Sequence, residues 1–120
     1  MRDPTRGGLG TTLNELALGS RLTVSLDEQA VPVREDVRAA CELLGIDPLY
    51  VANEGKLVAF VAPEAADAAL AALAAVPGCE RAADIGAVVA DPTGLVLVET
   101  AFGGRRVMDM LVGDPLPRIC

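Results

Sequence analysis

The sequence predicts an α+β fold, a mixed sheet with helices packed on it. Three observations carry this. Leu22, Val24 and Leu26 alternate with Arg21, Thr23 and Ser25, the period-two signature of a half-buried strand. Apolar residues three and four apart recur on either side of it, at Leu9, Leu13, Leu16 and Ala17 and again at Val37, Ala40, Cys41 and Leu44. Two apolar runs, 85–90 and 95–100, flank Asp91-Pro92-Thr93-Gly94, whose proline and glycine suit a turn. Helices and strands are interspersed, and at least one hairpin is expected.

Taken in order, the chain opens on a glycine-containing loop, Arg2-Asp3-Pro4-Thr5-Arg6-Gly7-Gly8, that runs into the first helix and ends at Gly19-Ser20. The alternating strand follows, then a polar turn at Asp27-Glu28-Gln29. A second helix is predicted over 34–44. Glu35 and Asp36 suit the positive end of its dipole, and Gly45 stops it. Its expected inward face is Val37, Ala40, Cys41 and Leu44, which makes Cys41 a packing residue. After the Asp47-Pro48 turn, a strand is predicted over 49–53 and another over 56–62. The second is apolar almost throughout, as suits a strand covered on both faces. Pro63-Glu64 begins an alanine-rich helix through about residue 75, with Leu70, Leu73 and Val76 inward and Pro77-Gly78 as its stop. Cys79 falls in a surface turn with no neighbour to make it reactive. Beyond the 95–100 strand, Gly103-Gly104 leads into a short final strand around Arg105-Arg106-Val107.

Composition bounds the partners. The chain of 120 residues suits one domain with a real core. Its net charge of −7 argues against nucleic acid or an anionic membrane as main partner. The longest apolar run, 68–76, is far short of the roughly 20 residues that span a bilayer. No basic segment leads into an apolar one at the N-terminus, so no export signal is expected. Aromatic residues make up only 2%, so the core must be aliphatic. A mean hydropathy of +0.41 points to a surface that a partner covers. Cys41, Cys79 and Cys120 form no Cys-x-x-Cys pair and there is no histidine, which argues against a metal site and excludes a histidine base. Free thiols suit the cytoplasm.

Three places invite chemistry, and each has a plain structural alternative. Arg6, Gly7 and Gly8 precede a helix start, where free N–H groups favour an anion; equally, two glycines permit a tight turn and close packing. Glu54 stands at the junction of two predicted buried strands, where a carboxylate can serve as a base. Beside Gly55 it can equally be a solvated turn residue. The chain ends Pro117-Arg118-Ile119-Cys120 after a Gly113-Asp114-Pro115 turn. The prolines resist helix and central strand, so 113–120 reads as an extended tail on a 1–112 domain. A thiol on such a tether can visit a site and leave it, or can be an incidental terminal residue. Arg105 and Arg106 can hold an anion or simply be solvated.

The Pro-Arg-Ile-Cys ending resembles the C-terminus of the HypE-type hydrogenase maturation proteins, the carbamoyl dehydratases. The Arg2–Leu9 stretch resembles that family's central motif, and Val51-Ala52-Asn53-Glu54-Gly55 its Ala-Asn-Glu-Gly stretch. The three segments stand in the family's order and span the chain. The resemblance implies the C-terminal domain of the aminoimidazole ribonucleotide synthetase (PurM-like) superfamily. It also implies an excised or truncated part of the protein, because family members carry an ATP-binding domain before the first motif. Carried over by position, Cys120 receives a carbamoyl group and Glu54 is the base for its dehydration to thiocyanate, the cyanide source for the iron of [NiFe] hydrogenase. ATP and magnesium are expected for the whole protein and no cofactor for this part. A HypF-type carbamoyltransferase and a HypC–HypD complex are the implied partners, and a homodimer is expected. Other ATP-using members of the superfamily, such as selenophosphate synthetase, share the architecture but lack the cysteine-ended tail. The alternative is a non-catalytic dimerisation or interaction domain.

Overall fold

The computed structural model describes residues 1–111. The expected boundary at 112 and the stretch 113–120, with Cys120, lie outside them. The described chain forms α1 (Gly8–Ser20), β1 (Thr23–Asp27), α2 (Glu35–Leu44), α3 (Ala66–Ala74), β2 (Gly86–Val89), β3 (Val96–Glu99) and β4 (Arg105–Val107). The strands make one mixed sheet in the order β2-β1-β3-β4. β1 is antiparallel to β2 and parallel to β3, while β3 and β4 are antiparallel. The hairpin is therefore β3–β4, closed at Thr100–Gly104 by Thr100 N–H to the Gly104 carbonyl at 2.8 Å. The Asp91–Gly94 turn does not make a hairpin, because β1 lies between β2 and β3. That turn is pinned to the start of β1 instead, where the Thr23 hydroxyl meets that of Thr93 at 2.9 Å.

Alternation sets the buried face. Val24 and Leu26 lie opposite Val96 and Val98, and α1 lays Leu9, Leu13 and Ala17 over them. Leu49 and Met108 close the core. Cys41 is buried, as packing requires.

Four expectations need correction. Residues 49–53 are not a strand. Pro48–Tyr50 is a 3-10 turn, because the Asp47 carboxylate accepts from Leu49 N–H at 2.9 Å and Pro48 presets the turn's φ. Residues 56–62 are not a covered strand either. Only Val58 pairs, through two backbone bonds with Arg2, and Leu57, Phe60 and Val61 remain about half exposed. An apolar run becomes a sheet strand only where a neighbour supplies ladder bonds, and one bridge does not. Third, Val37, Ala40 and Leu44 of α2 are exposed, as is Val76 after α3, while Leu70 and Leu73 are half-buried. Helical periodicity marks an apolar face, but burial needs an element opposite it. Among the described elements, α2 touches only the Pro48–Tyr50 turn, and α3 only the turn that precedes it. Fourth, Glu54 is not at a junction of buried strands; it is exposed on a bend.

Among the described residues, no helix is long and apolar enough to cross a membrane.

Candidate functional site

Two motifs singled out in the sequence meet in space. The Arg2–Gly8 loop runs beside the 49–58 segment, joined by Asn53 N–H to the Pro4 carbonyl at 3.1 Å and by the Arg2–Val58 pair. Asn53 shapes the bend before Glu54. Its side-chain amide donates to the Val51 carbonyl at 2.9 Å and accepts from Lys56 Nζ at 2.8 Å. Gly55 completes the bend with φ of 66°, a conformation that disfavours a side chain. An open groove of about 320 Å³ lies at this junction, lined by Met1, Arg2, Asp3, Gly55, Lys56 and Leu57. Glu54 stands next to it in sequence, exposed to solvent.

The two glycines before α1 are accounted for by conformation and packing. Both have φ near 60°. A Cβ on Gly8 would lie 2.6 Å from the Leu49 and Val51 carbonyl oxygens. A Cβ on Gly7 would meet the Thr11 side chain. The close approach of the 49–51 backbone is what requires a glycine at position 8. Arg6 is exposed and makes no ion pair among the described residues. Arg105 and Arg106 are both paired. Arg105 holds Glu99, and Arg106 bridges Glu28 and Asp47 at 3.3 and 2.9 Å. Burial works to lower the Arg106 pKa, and the two carboxylates outweigh it, leaving the pKa raised.

A third cluster went unread in the sequence. It lies where the chain leaves the sheet towards its C-terminus. Met108 N–H donates to the Val96 carbonyl at 2.8 Å, and its side chain is fully buried near Gly10. The buried Asn14 amide donates to both the Gly10 and Met108 carbonyls at 2.9 Å. The Tyr50 hydroxyl donates to the Asp109 carbonyl at 2.6 Å, and its ring lies over Gly10. One signal was available. Asn14 follows Leu13 on the apolar stripe of α1, and a buried amide must find partners.

Burial, then the nearby Asp47 carboxylate, raise the Tyr50 pKa. A phenol with a raised pKa binds its proton more tightly in the folded state. Its contribution to stability is full below the ordinary value of 10.0 and is lost as pH climbs through the raised one. Tyr50 is the single tyrosine and there is no tryptophan, so phenolate absorbance reports it alone. An alkaline titration of the folded chain is expected to show a midpoint above that of the urea-unfolded chain; coincident midpoints would mean that the hydroxyl is free.

A four-stranded mixed sheet with α1 over one face, entered through an Arg2–Gly8 loop, defines the class. The AIR synthase related protein, C-terminal domain family matches residues 1–99, and the chain belongs to that family. Within it, the chain matches the C-terminal part of the HypE hydrogenase maturation proteins. It is 62% identical, over its whole length, to 35% of the carbamoyl dehydratase HypE of Bradyrhizobium diazoefficiens. A crystal structure of the hydrogenase maturation protein HypE in complex with ATP superposes with a TM-score of 0.90 at 54% identity, covering 99% of this chain and 37% of that one. A HypE–HypF complex superposes with a TM-score of 0.84 at 39% identity, covering 90% of this chain and 35% of that one. The chain thus spans about a third of the length of the relatives it matches.

Proposed function

We propose that this domain is the acceptor-bearing part of an ATP-dependent carbamoyl dehydratase that makes the cyanide ligand of [NiFe] hydrogenase. Cys120 is the carrier and Glu54 the base. The Cys120 thiolate attacks the carbonyl carbon of a carbamoyl group presented by a HypF-type transferase. The S–C bond forms as the bond to the donor's leaving group breaks, giving an S-carbamoyl cysteine. Phosphoryl transfer from ATP turns the carbamoyl oxygen into a phosphate leaving group. Glu54 takes protons from the carbamoyl nitrogen, the C–O bond breaks, and thiocyanate and phosphate result. With no histidine in the chain, a carboxylate is the residue type suited to this proton removal. The S-cyano cysteine is then the cyanide donor to a HypC–HypD complex, whose two electrons would release cyanide and return Cys120 to the thiolate. Most ATP and magnesium contacts belong, in this reading, to the part of the relatives that this chain does not span.

The Glu54 bend is bonded to the Arg2–Gly8 loop through Asn53 and Pro4, and the start of the C-terminal stretch is bonded to Tyr50, four residues before Glu54; these links carry the reading. Asp109 is bonded to Tyr50, and Tyr50 is within roughly 14 Å of Glu54 along the chain. Fully extended, the stretch from Asp109 to Cys120 spans about 36 Å, enough to bring the thiol to Glu54.

The test is a chimera in which this chain replaces the matching part of the Bradyrhizobium diazoefficiens relative. Incubated with a HypF-type transferase, a carbamoyl donor and ATP, it should carry carbamoyl and then cyano adducts on the C-terminal peptide, and Cys120→Ser should carry neither. An unmodified Cys120 would overturn the carrier role. It would favour an interaction domain, for which the exposed Leu43 and Leu44 of α2, at 89% and 71%, are the specific observation.

A further inference from the structure

We infer that Asn14, Asp47 and Tyr50 form an anchor that fixes the root of the cysteine-bearing stretch, and that they act as positioning residues for dehydration. The inference rests on the carrier reading of Cys120. Three groups in almost consecutive positions are held by two elements, α1 and the Pro48–Tyr50 turn with its cap Asp47. The Arg106 guanidinium is held by Asp47 at 2.9 Å, the Met108 carbonyl by Asn14 at 2.9 Å and the Asp109 carbonyl by Tyr50 at 2.6 Å.

Ordinary sheet chemistry does not require this. β4 already ends at Val107, and Met108 already has its ladder bond to Val96. The Asn14 and Tyr50 bonds bind the chain after the strand to α1 and to the Pro48–Tyr50 turn, and Asp47, the cap of that turn, holds Arg106 within the strand. Those two elements also position the Glu54 bend, because Gly8 packs against the Leu49 and Val51 carbonyls and Asn53 bonds to Pro4. Root and base therefore share one support.

A tether fixed at its root near its destination raises the effective concentration of the thiol there. Collecting a carbamoyl group from a separate protein gains nothing from such a root. The anchor should therefore favour the step on the domain over the step with the partner.

The variant Tyr50→Phe/Asp47→Asn removes the hydroxyl bond and the Asp47–Arg106 charge pair, leaving Arg106 its pair with Glu28. It keeps the ring over Gly10 and an oxygen that can accept from Leu49 N–H. Two measurements test it. In this chain, with Cys79→Ser and Cys120→Ser, spin labels at Met110→Cys and Leu18→Cys report the root directly. The distance distribution should broaden on anchor removal, measured well below the melting temperature of either protein. In the chimera, single-turnover dehydration should fall about tenfold while carbamoyl transfer changes less than about twofold. Asn14→Ala should deepen both effects. Should it fail to fold, the double variant carries the test alone.

An unchanged distance distribution, or two rates that fall together, would overturn the anchor. A wild-type chimera that forms no adduct would instead overturn the carrier reading. The label distances would then still decide whether the root is held.

Discussion

Gly8→Ala should lower the stability of this chain by roughly 3 kcal/mol or more. Two effects combine. With φ of 62°, the backbone sits in the left-handed region, which costs a side-chain-bearing residue about 1–2 kcal/mol. The new methyl would also lie 2.6 Å from two backbone carbonyl oxygens, Leu49 and Val51, and overpacking typically costs a further 1–3 kcal/mol. Backbone atoms cannot rotate away as a side chain can. Gly7 provides the contrast. Its φ is 63°, but its methyl would meet Thr11, whose side chain has other rotamers, so Gly7→Ala should be clearly milder. Urea unfolding measures both. Equal losses would mean that the approach of the 49–51 segment to α1 is looser than the contact implies. On the proposed role of Glu54 the consequence would reach function, because that contact holds the segment leading to Glu54 against the helix.

The regular elements were legible because their signals are local. The alternation through Val24 and Leu26 is β1, although Leu22 falls outside it and is exposed while Thr23 is buried, and Gly45 closes α2 with φ of 65°. Pro77-Gly78 follows α3, as expected of a stop. The failures are non-local. Residues 49–53 carry apolar, strand-favouring side chains, but one Asp47–Leu49 capping bond decides for a turn. The 56–62 run is apolar enough for a covered strand, yet periodicity cannot say whether a neighbouring strand exists, and only Arg2 pairs with it. A place between two strands would bury Glu54, but burial in the first segment centres on Leu49, and residues 54–57 are exposed. Arg105 and Arg106 left two readings open, and the partners that decide between them are Glu28, Asp47 and Glu99, far away in sequence for Arg106. Asn14 and Tyr50 were passed over because an amide or a phenol becomes informative only once its acceptors, the Met108 and Asp109 carbonyls, are placed.

The second large effect belongs to Glu54. In the chimera, Glu54→Gln should slow thiocyanate formation by about 10²–10⁴-fold, the usual cost of losing a positioned base. Glutamine matches the carboxylate in size but cannot take a proton. Glu54 is exposed on its bend, so the change should leave folding intact. Carbamoyl transfer needs only the Cys120 thiolate and the donor, and should proceed normally. Mass spectrometry of the C-terminal peptide over time separates the steps within one sample. The account predicts that the carbamoyl adduct accumulates on Cys120 in Glu54→Gln while the cyano adduct stays near background. A cyano adduct forming at the wild-type rate would contradict it, leaving Glu54 a turn residue and placing the base elsewhere in the protein.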